Sequence, residues 1–328
     1  MRLQHIRRSL SVVIAFVTLS YATTGRADNP PEKSRGDGNS VTEAFFQSQA
    51  AIDFYDVRVK RWSSQWAKDD SKAADYPTTS EDVVYRMLMA HSQKKCFVFI
   101  RRTTKQESTE RYGGTERVFR HIFSYEDGKM LAFRPEDAVS RAMARDTDYS
   151  KFLTTTNVDY PQFLGAKPLY YANASQIESK LSDQSTPGHQ LSLEVMPDGL
   201  LRVQTLVKPD YKSKSTQYFD PQTFAPKRCA IFYKKTDSWD LVYSHEMEFV
   251  ERESAILPIR GNFSYESLVR SANRELKSTL ANQIGTVEVE WLKFNDPKIE
   301  FPEWKKVGSS VAAFEKFLDP SQFEEEKR

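Results

Sequence analysis

Five histidines and two cysteines are all that 328 residues provide, and neither type is clustered. That scarcity argues against a zinc framework, which needs paired Cys or His ligands at short spacing. His245-Glu246 has no second histidine to complete the metalloprotease pattern. No Gly-x-Ser-x-Gly turn occurs, which removes the nucleophile elbow of the α/β-hydrolases. The 12 glycines never form a phosphate-cradling loop at the start of a helix. Basic residues are not concentrated either. Lys60-Arg61, Lys94-Lys95 and Arg101-Arg102 are short, scattered pairs that read as solvated strand positions. Nothing therefore points to nucleic acid, whose phosphates require a dense cationic surface. After residue 22 no apolar run approaches the roughly 20 residues that a membrane-spanning helix needs.

What is present begins with "MRLQHIRRSLSVVIAFVTLSYATTGRA". Arg2, Arg7 and Arg8 precede a mostly apolar stretch, Leu10 to Ala22, and small residues offer cleavage after Ala22 or Ala27. This is the pattern of a signal peptide over residues 1–27, and it predicts an exported protein, periplasmic or extracellular, without a transmembrane anchor in its mature form. Removing four leader arginines takes Lys+Arg from 47 to 43 against 45 Asp+Glu, so the net charge moves from +2 to −2. Residues 28–40, rich in Pro, Gly, Ser and charge, read as a disordered spacer.

Periodicity then predicts a short helix from Val41, turning into a period-two strand at Phe54 to Trp62. Residues 63–82 read as a polar loop. Strands follow at 83–90, 95–102 and 115–125, with Glu126-Asp127-Gly128 as a hairpin turn. A helical insert is expected over about 135–183, including an amphipathic helix in "NASQIESKLSD". Strands resume near residue 190, with turns at Asp198-Gly199 and Asp220 to Pro226. A helix is expected near Tyr265 to Leu280, then a last strand, "GTVEVEWLKFN", and a partly irregular tail over 296–328. Strands joined by short turns make an antiparallel sheet rather than a βαβ fold.

Period two in "LVYSHEMEFV" puts Tyr243, His245, Met247 and Phe249 on one face and Glu246 and Glu248 on the other. His245 and Glu246 point apart, and His245 reads as a core or cavity-lining histidine with a hydrogen-bond partner. The same rule groups Phe119 with Phe123, and Val289 with Trp291. Several strands thus share one aromatic and aliphatic face. It is either filled by helices as an ordinary core or only lidded, leaving room for an apolar ligand. Cys96 and Cys229 lie in the apolar runs "KKCFVFI" and "KRCAIFY"; one disulfide and two buried thiols are equal readings.

The order of leader, short helix, hairpins, helical middle and further hairpins resembles the lipoprotein-carrier fold of the LolA and LolB type. It is similar in particular to exported planctomycete proteins with a LolA-like domain, through "YFDPQTFAPKRCAIFY" (218–233) and "VEWLKFNDPKIEF" (289–301). The resemblance implies an α+β, mainly β domain over 41–295: a strongly curved antiparallel sheet, an incomplete barrel, lidded by short helices. It implies a non-enzymatic protein that binds lipid or lipoprotein acyl chains, with no catalytic residues, cofactor or metal. Phe119, Phe123, Tyr243, His245, Met247, Phe249, Val289 and Trp291 would line the ligand. The long insert and the charged strands depart from the pattern. An envelope interaction module with a filled core is the second reading, and a hydrolase with an assembled site the third.

Overall fold

The computed structural model describes residues 36–37, 52–67, 78–108, 113–135, 143–146, 160–165, 191–205, 213–235, 238–253, 255–269 and 279–319, with single positions between 41 and 49 and between 149 and 158. The leader at 1–27 and the helix expected at 173–183 lie outside them.

Among the described residues fourteen strands form one sheet. The first half of the chain supplies β1 (Gly36–Asp37), β2 (Phe54–Ala67), β3 (Thr79–Ala90), β4 (Lys95–Gln106), β5 (Thr115–Glu126), β6 (Lys129–Phe133) and β7 (Met143–Asp146). The second supplies β8 (Leu191–Val195), β9 (Leu201–Thr205), β10 (Ser213–Phe219), β11 (Pro226–Lys235), β12 (Ser238–Arg252), β13 (Ala255–Val269) and β14 (Thr279–Phe294). Their order is β1-β8-β9-β10-β11-β12-β13-β14-β2-β3-β4-β5-β6-β7, antiparallel throughout, with β1 and β7 as unjoined edges. Two meanders, β2–β7 and β8–β14, are therefore stitched together by β14 pairing β2, with Val289 opposite Val59 and Trp291 opposite Val57.

The turns follow their sequences. Asp127 and Gly128 both take positive φ, +52° and +76°, as a two-residue hairpin loop between paired Glu126 and Lys129 requires. Register shifts occur in the β10–β11, β11–β12, β12–β13 and β14–β2 pairs, and such bulges bend a sheet. The bend is large enough that Leu201 and Val203 of β9 share one core with Met130 of β6, although nine strands stand between them in the order.

Several expectations are corrected. The polar loop at 63–82 is narrower, because β2 runs on to Ala67 and β3 begins at Thr79. Tyr265 to Val269 is strand rather than helix, and Leu280 belongs to β14. Phe263 and Tyr265 alternate with Ser264 there, and pairing with β14 stabilises that period. Met143–Asp146 inside the expected helical insert is an edge strand on β6. Gly36 and Asp37, within the expected spacer, pair with Leu193 and Ser192. The tail, expected to be partly irregular, carries two helices among its described residues, α1 (Trp304–Val307) and α2 (Val311–Leu318), joined by non-helical stretches.

Both faces of the sheet carry a core. On the outer side, Phe314 and Leu318 of α2 are fully buried against Phe97, Phe99 and Ile122. Ser310 caps α2 by accepting from the Ala313 N–H at 3.1 Å. Charge fixes its position as well. Arg58 meets buried Asp319, Lys60 approaches the same carboxylate at 3.2 Å, and Glu315 bridges Arg101 and Arg120. Arg86 forks onto Asp56 and lies 4.2 Å above the Phe317 ring.

Candidate functional site

The inner face reads as cross-strand rows. Deepest are Phe294, Tyr55, Met89, Cys96 and Tyr125, each opposite the next. One step up stand Trp291, Val57, Met87, Val98 and Phe123; then Val289, Val59, Tyr85, Ile100 and His121. These three rows are nearly all apolar and largely buried. The next row is Val287, Arg61, Val83, Arg102 and Phe119, and beyond it Gly285, Ser63, Glu81, Thr104 and Arg117. Polarity thus rises towards the rim where β5 begins.

The β12 residues sit as the alternation predicts. Tyr243, His245 and Met247 are buried, and Phe249 is half-buried with its ring edge-on to Phe45 at 6.3 Å. Trp291 packs edge-on to Tyr55 and Phe294, at 5.8 and 6.0 Å, and its indole N–H donates to the Pro258 carbonyl at 2.9 Å. Val289 is buried, and Phe123 is half-buried under the stacked ring of His121. Phe119 shares their face but stands 44% exposed at the rim, outside the core. Arg102, its side chain 41% exposed, is the solvated strand position read from the sequence, whereas Arg61 is half-buried on the inner face. Arg61 lies opposite buried Val287 with its guanidinium 5.2 Å from the Phe263 ring, and Arg102 lies opposite buried Val83.

Two pieces of chain cover the deep rows. Val41, Phe45 and Gln49, helical positions before β2, are buried there, and Gln49 donates to the Ile256 carbonyl at 2.9 Å. From the middle of the chain come Phe152, Tyr160, Leu164 and a 3-10 turn at Pro161–Phe163. Their anchor is His245. Its Nε2–H donates to the Gly165 carbonyl at 2.8 Å, so Nδ1 accepts from the Tyr243 hydroxyl at 3.1 Å. Burial pushes the imidazole down from 6.5 to about 4, while the bond to Gly165 opposes that shift. With both nitrogens engaged, His245 is a structural pin, as the alternation implied, and not a poised base.

The deep inner face is therefore covered by the protein's own chain. Grooves of about 530 and 420 Å³ open where Arg228, Glu246 and Asn262 line both. Cys96 and Cys229 are free buried thiols, with β3, β2, β14, β13 and β12 between their strands. Burial raises both, Cys229 to about 12. Among the described residues no three His, Cys, Asp or Glu side chains are placed to hold a metal, and no helix is long and apolar enough to cross a membrane.

Sequence reasoning missed the β2–β4 share of the face: Tyr55, Val57, Tyr85, Met87, Met89 and Val98. Tyr55, Val57 and Val59 alternate visibly, but only the long-range pairing of β2 with β14 puts them beside Trp291.

No protein-family model matches the chain, and no curated protein does. Solved structures similar in part include lipovitellin, described for its lipid–protein interactions, at 6% identity and TM-score 0.26 over 77% of this chain and 28% of that one. The chain thus spans little more than a quarter of lipovitellin. A porin-like protein from Bacteroides uniformis matches at 8% identity and TM-score 0.25, covering 73% of this chain and 97% of that one. A β-barrel-like protein from Brucella abortus matches at 9% and 0.25, covering 74% and 100%. Likenesses this distant carry no argument about function, and the fold stands on its own strands.

Proposed function

We propose that this is an exported, non-enzymatic binding protein that takes an apolar chain, such as a lipid or lipoprotein acyl group, against its inner face. The described residues within 41–52 and 149–165 are the cover that yields to it. The LolA and LolB resemblance implies the same activity. One observation carries the reading: the cover fits its bed imperfectly. Gln49 and Gln162 are buried, yet the side-chain Oε1 of each has no hydrogen-bond partner among the described residues. An unsatisfied buried acceptor costs about 1–3 kcal/mol, so displacing the cover recovers hydration that closing it gives up. The apolar rows beneath would otherwise meet water, and an acyl chain replaces those contacts at about 0.8 kcal/mol per buried methylene.

A second reading, an interaction module with a permanently filled core, is favoured by Phe152 and Leu164, which are 0% and 1% exposed on the same face. Native mass spectrometry of the protein secreted to a bacterial periplasm, with solvent extraction and then addition of fatty acid, separates the two. Bound acyl species, or uptake of added fatty acid by the folded protein, are expected. A folded, ligand-free protein that takes up none overturns the binding reading in favour of the filled core.

A further inference from the structure

The rim of the inner face changes chemistry in a way the buried rows do not. Arg61 and Arg102 stand in one cross-strand row, separated by Val83 on β3, with Phe119 completing the row on β5. Adjacent strands are about 4.8 Å apart, so the two arginine Cα positions are about 10 Å apart and frame a single site from both sides. Arg117 adds a third cation one row further out, opposite Thr104. Glu81 is the one acidic residue in these two rows between β14 and β5. It pairs with Arg102 at 3.3 Å, and both side chains are more than a third exposed, so water screens the pair. Below the arginines, six residues of β2 lead from Arg61 down to Tyr55, roughly 20 Å at 3.3 Å per residue. All three inner-facing positions on that path, Val59, Val57 and Tyr55, are buried core.

We propose that the ligand is an anionic amphiphile, its carboxylate or phosphate head held between Arg61 and Arg102 while its chain runs down the β2–β3 rows. The assignment rests on the binding function proposed above. A guanidinium offers a planar fork of donors that fits a carboxylate or phosphate two-pronged, which a lone hydrophobic face cannot do. The Phe263 ring, 5.2 Å from the Arg61 guanidinium, backs the site on the β2 side, and Phe119 stands opposite Arg102 on β5. An incoming anion takes the place of Glu81 on Arg102, exchanging an exposed ion pair for one held between two cations. Within these two rows three arginines stand against one glutamate, which disfavours a cationic amphiphile.

The test is calorimetric titration of the full chain with three twelve-carbon probes at low ionic strength: laurate, dodecanol and dodecyltrimethylammonium. Laurate is expected to bind at least tenfold more tightly than dodecanol, and dodecyltrimethylammonium more weakly than either. The preference for laurate should shrink in high salt. In the Arg61→Gln/Arg102→Gln double variant, laurate should fall to the dodecanol affinity while dodecanol itself is unchanged. Arg61→Lys and Arg102→Lys should keep part of the preference, showing that charge and not folding was lost. Equal affinity for laurate and dodecanol in the unaltered protein overturns the headgroup site while leaving chain binding intact. If no probe binds, the binding function itself falls. Dodecyl phosphate then sorts carboxylate from phosphate, because only a phosphate site prefers it to laurate.

Discussion

The imidazole of His245, on β12, and the backbone carbonyl of Gly165, eighty residues earlier in the chain, are joined by a 2.8 Å hydrogen bond at the inner face. It pins the middle of the chain to the sheet, as does the Tyr149 hydroxyl, which donates to the Met89 sulfur at 2.7 Å. Gly165 is there because it adopts φ +89°, and because a Cβ would lie 3.1 Å from the Phe249 ring and 3.2 Å from Met247.

The pin makes stability depend on acid. His245 titrates near 4 when folded and near 6.5 when unfolded, so between those values the unfolded chain binds the extra proton. Stability is full above about pH 6.5, falls as pH drops through the window, and levels off below about 4. The span of 2.5 units corresponds to about 3 kcal/mol at most. Urea unfolding at pH 7.5 and 5.0 should show the loss, and His245→Gln should flatten the slope. An unchanged slope in that variant would assign the acid sensitivity to other groups.

Gly165→Ala strains the same contact from the other side. The positive φ and the crowding against Met247 and Phe249 should cost about 1–3 kcal/mol. Amide exchange should quicken at Leu164 and Gly165 before it quickens in β2 or β14. Uniform acceleration across the sheet would mean that the segment is not a separable cover.

Asp319 is 1% exposed and engages both Arg58 and Lys60. Asp319→Ala leaves Arg58 buried with Glu290 as its remaining carboxylate. A loss of about 3 kcal/mol is expected, together with release of α2. Limited proteolysis near residues 308–318 reads that release directly. A fully resistant tail in the variant would show that Phe314 and Leu318 hold α2 without the ion pair.

The thiols supply a chemical check. Cys96 and Cys229 are buried and raised, so neither should react with a thiol reagent in the folded protein at pH 8. Two equivalents should react in denaturant without reductant. Zero equivalents under those conditions would mean that the oxidised protein joins them.

Pattern that repeats every two residues was open to view in the chain itself. The alternation in Tyr243, His245, Met247 and Phe249 placed all four inward, and the Asp127-Gly128 turn and the helix from Val41 followed from local chemistry. These features depend on neighbours within a few residues, where steric and hydrogen-bond preferences act. Phe119 shows the limit of that reasoning, since the same alternation sets its face but not its depth.

Depth, filling and partnership were decided by tertiary structure. Whether the inner face was cavity or core depended on Phe152 and Leu164 arriving from a distant segment. Within the partly irregular tail, α2 is held because Phe314 and Leu318 found Phe99 and Ile122 beside cations from β2, β4 and β5. Arg61 looked like a solvated charge until pairing put it opposite Val287 and beside the Phe263 ring. The sequence determined which side of each strand is apolar, because side-chain direction is a local property of the backbone. Which strands meet, and what covers them, is set by burial energy gained between residues hundreds of positions apart, and no short stretch of sequence contains it.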